Sequence, residues 1–364
     1  MSDVLKKYDS WLDDDGPAAL VIREHLIPVE GEDGVLFPAT FAAGDNFPGG
    51  YNVNSFGEEK EGKNVCLIDS VGSQANRTEP LFAREKYAGL VPQVVVKAGE
   101  KSVNLLEAGH RAGDAIVRCT ALQAALQSAF KAVQQGNTEP LAKIAPTSLV
   151  FGVWDSRDTQ AKMPRLIAST IRAFNVQRLT RSAQFNPATE FVNNGLLEEP
   201  ADKAAKEAYA QRGFIHVPAS ASHGGVIATG GIRRDATLSL AALRLLNAGS
   251  DGQKTLALRR YILGLALVAF TYRPSSYLRQ GCNLVLDPNK SAEFVEVTND
   301  GKRTPSKITH DDALAYAKVT AQAFGIGKDQ QVEFDKELAK KDVQGDNGNG
   351  ERPAKGGKKK QPAS

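Results

Sequence analysis

The stretch at 148–174, SLVFGVWDSRDTQAKMPRLIASTIRAF, decides how the rest of the chain is read. Its apolar start, 147–154, reads as a buried strand, and the polar segment 155–162 reads as a loop. The residues 164–174 then read as a helix, with Pro164 at the first helical position, where its missing N–H would lack a partner anyway. On such a helix Arg165, Ser169 and Arg172 share one face at i, i+4 and i+7, while Leu166, Ile167, Ile171 and Phe174 share the other. From 159 to 189 there is no Asp or Glu, yet Lys162, Arg165, Arg172, Arg178 and Arg181 are all present. A solvated helix face ordinarily mixes Glu among its Arg. An acid-free cationic run beside a hydrophobic strand therefore favours an anionic partner, and single-stranded RNA fits it.

The 364 residues are enough for one large domain or two small ones with a sizeable core. Global charge carries no nucleic-acid signal: the total is +3, but 351–364 alone holds +4, which leaves about −1 for the body. Beyond 340 the composition collapses to Gly, Asn, Asp, Lys and Pro, so 341–364 is expected to be a disordered basic tail. Cys66, Cys119 and Cys282 are isolated, with no CxxC or Cys/His ligand spacing, which fits a reducing cytoplasm and argues against a metal site. The first 15 residues lack the apolar core of a signal peptide. The longest apolar run, 261–270, is shorter than the roughly 20 residues a bilayer requires and reads as a buried helix.

Working outward, 4–12 has helical spacing, 18–26 and 65–69 are strand candidates, and a Gly/Pro-rich loop fills 28–63. The segments 92–97 and 102–107 alternate around 98–101 as a hairpin, and 114–135 forms one amphipathic helix. Strand, helix, hairpin, helix, strand is the order of a ferredoxin-like, RRM-type βαββαβ unit, placed here at 18–155. Beyond it lie a strand at 175–185, a polar stretch at 186–205, a glycine-rich segment and helices at 237–247, 255–270 and 309–324.

Three segments hold donors suited to phosphate and ribose. The loop 155–162 offers Arg157, Thr159, Gln160 and Lys162 directly after a strand. The turn 69–77 offers Ser73, Gln74, Asn76 and Arg77 around Gly72, and it reads equally well as a helix start capped by Asp69 or Ser70. His110 and Arg111 precede Asp114, which is better placed as an N-cap than as the partner of a catalytic His110. The segment 223–234, HGGVIATGGIRR, reads as a glycine-rich hairpin or lobe with Arg233 and Arg234 at its exit. No GxxxxGK[ST], GxGxxG or GxSxG occurs, so neither a cofactor nor a catalytic residue is expected.

Read together, IDSVGSQANR at 68–77, HRAGD at 110–114 and LVFGVWDSRDTQAKMPR at 149–165 make the chain resemble a known family. It is similar to the backbone subunit of the type I-G (formerly I-U) CRISPR surveillance complex (Cascade), in the RAMP superfamily, over roughly 18–324. Asp158 stands where the family's loop leads one to expect glycine. The resemblance implies an α+β fold: a single RRM-like palm domain over 1–340 with inserted lobes and a thumb-like β-hairpin. Its core would be near 18–185, with helical and lobe additions over 186–340. It also implies that several copies line a CRISPR guide RNA as a filament and present it for pairing with target DNA, beside a large subunit and a guide-end processing subunit. Sequence reading would then fall to base pairing, and the protein would grip backbone alone. Carried onto this chain, the guide contacts are Ser73, Gln74, Asn76, Arg77, Arg157, Thr159, Gln160, Lys162 and Arg165, with His110 and Arg111. Arg172 and Arg181 follow from the charge argument, and Arg233 and Arg234 from the glycine-rich segment. The rival reading is a metal-dependent endoribonuclease of the same superfamily using Asp69, Asp155 or Asp158. A Ser/His hydrolase built on His110 or His223 lacks a nucleophile motif.

Overall fold

The structure, a computed structural model, describes residues 2–56, 63–219 and 223–344. It corrects the reading of the opening stretch on both counts. Thr147–Phe151 is a short α-helix, ended by Gly152 at φ 81°, and only Val153–Trp154 is strand. A buried apolar run of five residues has no period to separate helix from strand, and a positive-φ glycine is a common helix stop. The expected basic helix is instead a strand, Ile167–Phe174. Ile167, Thr170 and Ile171 are β-branched and stiff at χ1, which favours a pleated surface. Tertiary pairing on both edges then settles the matter. Arg165, Ser169 and Arg172 consequently do not share a helix face.

The central sheet has nine strands. Those that carry its topology are β1 (Ala19–Pro28), β2 (Asn64–Asp69), β3 (Ile167–Phe174), β4 (Ile232–Ser239), β5 (Cys282–Leu286) and β6 (Glu293–Val297). The spatial order is β5–β1–β4–β3–β2, and β6 also pairs with β1. All of these neighbours are antiparallel, so β1 and β3 run the same way on either side of β4. Taking β1, β3, β4 and then β5/β6 as first to fourth gives the spatial order 4-1-3-2 of a ferredoxin-like sheet. The fold is thus α+β and RRM-like, but its members differ from the unit expected at 18–155. The hairpin near 92–107 does form, as Val94–Ala98 with Lys101–Asn104. It lies in a separate sheet, parallel to Gln330–Glu333, and the C-terminal half supplies β4, β5 and β6.

The β3–β4 ladder continues past the sheet. Val176–Thr180 pairs with His223–Ala228, and Ala183–Phe185 with Val217–Ala219. The corner lies at Asn175 (φ 50°) and Gly230-Gly231, where Gly230 N–H donates to Phe174 O at 2.9 Å. A Cβ on Gly230 would stand 2.9 Å from that same oxygen, so the glycine serves close backbone approach. Between the two arms, Lys203–Gln211 forms a helix capped by Asp202, and Phe214 packs on Phe191 at 5.1 Å. This is the thumb-like β-hairpin with a lobe between its arms.

Helices α1 (Val71–Thr78), α2 (Gln123–Gln134), α3 (Gly252–Thr271) and α4 (His310–Phe324) complete the frame. The single helix expected at 114–135 is two, Ala115–Arg118 and α2, because the Thr120 hydroxyl turns back to Val117 O and accepts from Leu122 N–H. The helix expected at 237–247 is the end of β4 followed by Leu240–Leu243. Lys336–Gln344 is helical four residues into the stretch expected to be disordered, and the rest of that tail, 345–364, lies outside the described residues. Leu20 and Leu238 from β1 and β4 are fully buried in one cluster with Leu258, Leu263 and Leu265 of α3, each contributing about 1.5–3 kcal/mol. Among the described residues no helix is long and apolar enough to cross a membrane.

Where α3 meets α4, a Cβ on Gly264 would lie 2.6 Å from Thr320 Oγ1 and 2.9 Å from Ala317 Cα. Helix propensity alone would make Gly264→Ala stabilising by about 1 kcal/mol. The backbone contact reverses that sign, and a net loss of about 1–3 kcal/mol in chemical denaturation is expected.

Candidate nucleic-acid interface

The three motifs that are separate in sequence meet around one buried guanidinium. Arg111 sits in a short 3-10 turn at φ 53°, with its side chain 3% exposed. Its Nε lies 2.6 Å from Glu79 Oε2, one terminal nitrogen donates to Asn76 Oδ1 at 3.2 Å, and the other to Gly152 O at 3.4 Å. The group stacks over the Phe151 ring at 5.3 Å. Asn76 belongs to the first motif, Arg111 to the second, and Phe151 and Gly152 to the third. Arg165 joins them through its stem: a Cβ on Gly152 would be 2.7 Å from Arg165 Cγ. Burial pushes the Glu79 carboxyl up to about 7, against the pull of Arg111, with Thr147 and Arg165 also facing it.

A second buried anion organises α1. Asp69, at the end of β2, accepts from Gln74 Nε2 at 2.6 Å, Arg77 Nε at 3.2 Å and Arg279 Nη2 at 2.8 Å. Gln74 Oε1 in turn accepts from Ser169 Oγ at 3.0 Å, tying α1 to β3. The helix start is capped by Ser70, whose Oγ accepts from Ser73 N–H. The capping reading of 69–77 therefore holds, and Asn76 and Arg77 remain exposed on the next turn. Gln74 is buried. Asp114 likewise caps its helix, accepting from Ile116 N–H, and it does not engage the His110 ring.

The third anion is Asp155. It accepts from Thr159 N–H at 2.9 Å and from Thr159 Oγ1 at 2.7 Å, closing the loop between Val153–Trp154 and Lys162–Met163. Gln134 of α2 donates to Thr159 O at 2.7 Å and pins the loop from outside. The left-handed residue is Gln160 (φ 60°), so Asp158 does not require the conformation that a glycine would supply.

These arrangements separate charge by depth. Asp69, Glu79 and Asp155 are 1%, 1% and 3% exposed and spent on internal partners. Arg77, Arg157, Lys162 and Arg165 are exposed, and the last three form no ion pair among the described residues. The exposed charge over Asn76, Arg77, His110, Arg157, Lys162 and Arg165 is consequently mostly positive, with Asp158 an exposed acid beside Arg157, although the chain as a whole is near neutral. The other expected residues lie elsewhere. Arg172 and Arg233 pair across β3 and β4 on the sheet, where Arg172 bonds Thr170 and Arg233 bonds Asp235. Arg234 is buried in an ion pair with Glu24, its cross-strand partner, at 2.6 Å. Arg181 sits exposed on the thumb-like ladder, between its two outer strand pairs. Sequence reasoning missed Glu79 and Arg279, since neither lies in a motif. Among the described residues no group of three His, Cys, Asp or Glu is placed to hold a metal ion.

Fold and site together define an RRM-like α+β protein with a cationic surface built from three converging motifs. Residues 20–178 match the family model described as CRISPR-associated protein GSU0053, and the match indicates a CRISPR-associated protein. It covers under half of the chain but includes all three motifs and both arms of the β1–β3 crossover. No curated protein matches the chain.

Two outcomes follow from the buried anions. The folded protein holds the Glu79 proton where the unfolded chain, near 4.5, has released it, so stability falls as pH rises from about 4.5 to about 7 and is level above. Glu79→Gln should remove this slope, read as the difference in denaturation midpoint between wild type and variant at pH 5 and pH 7.5. Asp69→Ala should destabilise by about 3 kcal/mol, because Arg279 and Gln74 are deprived of a buried acceptor together; near-wild-type melting would contradict that role.

Proposed function

We propose that this protein is a non-catalytic subunit that binds a CRISPR guide RNA along its sugar-phosphate backbone and assembles with further copies of itself. In this reading it works beside the other subunits of a surveillance complex and holds the guide for pairing with target DNA. The observation that carries the proposal is the separation of charge by depth: three acids buried as internal acceptors beneath four exposed cations. A surface of that kind attracts a polyanion without reading its bases, as a subunit serving any guide must do. Small polar groups stand beside the cations at Ser73 and Asn76, suited to phosphate and 2′-hydroxyl groups, whereas the donors of Thr159 and Gln160 are turned inward to Asp155 and to Ser156 O. Of the carboxylates that a nuclease reading would use, Asp69 and Asp155 are occupied by protein donors, while Asp158 is exposed and accepts from Gln127 Nε2 at 3.2 Å.

Arg165→Glu should weaken binding of single-stranded RNA to a similar extent for unrelated sequences. It should also flatten the salt dependence by about 0.7 in the slope of log affinity against log salt for each phosphate no longer neutralised. Fluorescence anisotropy at three salt concentrations measures both. Unchanged affinity would remove this surface from the guide path. Light scattering on RNAs of increasing length tests assembly, with mass rising in steps as expected for a filament and a fixed one-to-one complex as the opposing outcome.

A further inference from the structure

Trp154 is 56% exposed, whereas the other tryptophan, Trp11, is buried and donates its indole N–H to Glu296 at 2.9 Å. Exposing an indole sacrifices the large apolar burial that an aromatic ring ordinarily supplies, so its position asks for a reason. Strand alternation provides the direction: Val153 is buried and Trp154 faces out. Three features hold it there. The cross-strand partner Lys162 sets its Nζ over the ring at 5.7 Å. Asp155, the next residue, locks the following loop through Thr159. The backbone of Trp154 packs on Gly113, where a Cβ would come within 3.0 Å of Trp154 O. The indole is therefore an exposed ring on an anchored backbone, beside the turn that carries His110 and at the start of the loop that carries Arg157.

We infer that Trp154 is a stacking platform for one unpaired base of a bound single strand, with Lys162 holding the adjoining phosphate. The inference rests on the RNA-binding reading above and adds an interaction with the base that phosphate binding does not supply. Every base has a π-face, so the interaction is tolerant of sequence. It also fixes where along the strand one nucleotide must turn its face to the protein.

The test uses the full chain with two fluorescein-labelled probes of equal length, an oligoadenylate and an abasic ribose-phosphate chain. Stacking predicts that oligoadenylate quenches tryptophan emission and the abasic chain does not. Trp154→Leu should reduce affinity for oligoadenylate by about 5- to 150-fold, with its affinity for the abasic chain unchanged, while Trp154→Phe keeps most of the affinity. Binding that remains sensitive to Arg165→Glu, with no quenching and no weakening in Trp154→Leu, would overturn the stacking role and leave RNA binding standing. A concentration-dependent blue shift without RNA would instead assign the indole to a protein interface and overturn the stacking role. Failure of both probes to bind would overturn the two readings together.

Discussion

Eight residues, Ile232–Ser239, hydrogen-bond along both edges, to β1 on one side and to β3 on the other. The pairing with β1 joins positions more than 200 residues apart, Leu20 to Leu238 and Glu24 to Arg234 among them. Without that strand, β1 and β3 would be unconnected and the 4-1-3-2 order would not exist. Its alternation divides labour by face: Ala236 and Leu238 enter the core under α3, while Arg233 and Asp235 pair with each other on the opposite side. One residue of slippage would bury Arg233 and Asp235 and expose the leucine, so register is strongly specified.

From this frame the site inherits its geometry. β2 ends at Asp69 and launches α1, β3 begins two residues after Arg165, and the chain between them must return to the same edge of the sheet. Arg111 fastens that return. A buried guanidinium requires partners around its fork: Glu79 pairs with it, and Asn76 Oδ1, from the same stretch of chain, and Gly152 O, from a second stretch, accept its terminal N–H groups. The acids are drawn inward because cations on long stems can reach solvent while short carboxylates stay below as acceptors. The exposed positive charge thus follows from the acids taking their partners inside the fold.

Much of this was legible in the residues themselves. β1, β2, the hairpin near 92–107 and the helices α3 and α4 carry plain periodicities, and Asp114 and Ser70 cap helices as their spacing requires. The motif residues Asn76, Arg111 and Arg165 were recognisable and do meet, but Arg111 does so as a buried internal partner rather than as the exposed contact expected of it, and Arg77 turns to Asp69. The stretch 164–174 was misread because Arg165, Ser169 and Arg172 fit a helical face by spacing, while the decisive fact, pairing with β2 and β4, is non-local. Palm membership failed for the same reason: β4, β5 and β6 reach β1 only through pairings that no window of sequence contains. Glu79 was invisible because a buried acid shows no pattern until its guanidinium partner is known.

Trp154 illustrates what burial adds to pattern. In sequence it follows four apolar residues and a glycine and reads as core, the last member of a buried strand. In the structure Gly152 breaks that run, so the strand restarts with Val153 inward and Trp154 outward, opposite Lys162. The same left-handed glycine that lets Arg165 approach also sets the phase that exposes the ring. A residue at 152 with a side chain would have to displace Arg165 and change the strand's entry, so cation and aromatic are coupled through one backbone conformation. The backbone positions that carry the two side chains are thereby fixed relative to each other by the fold.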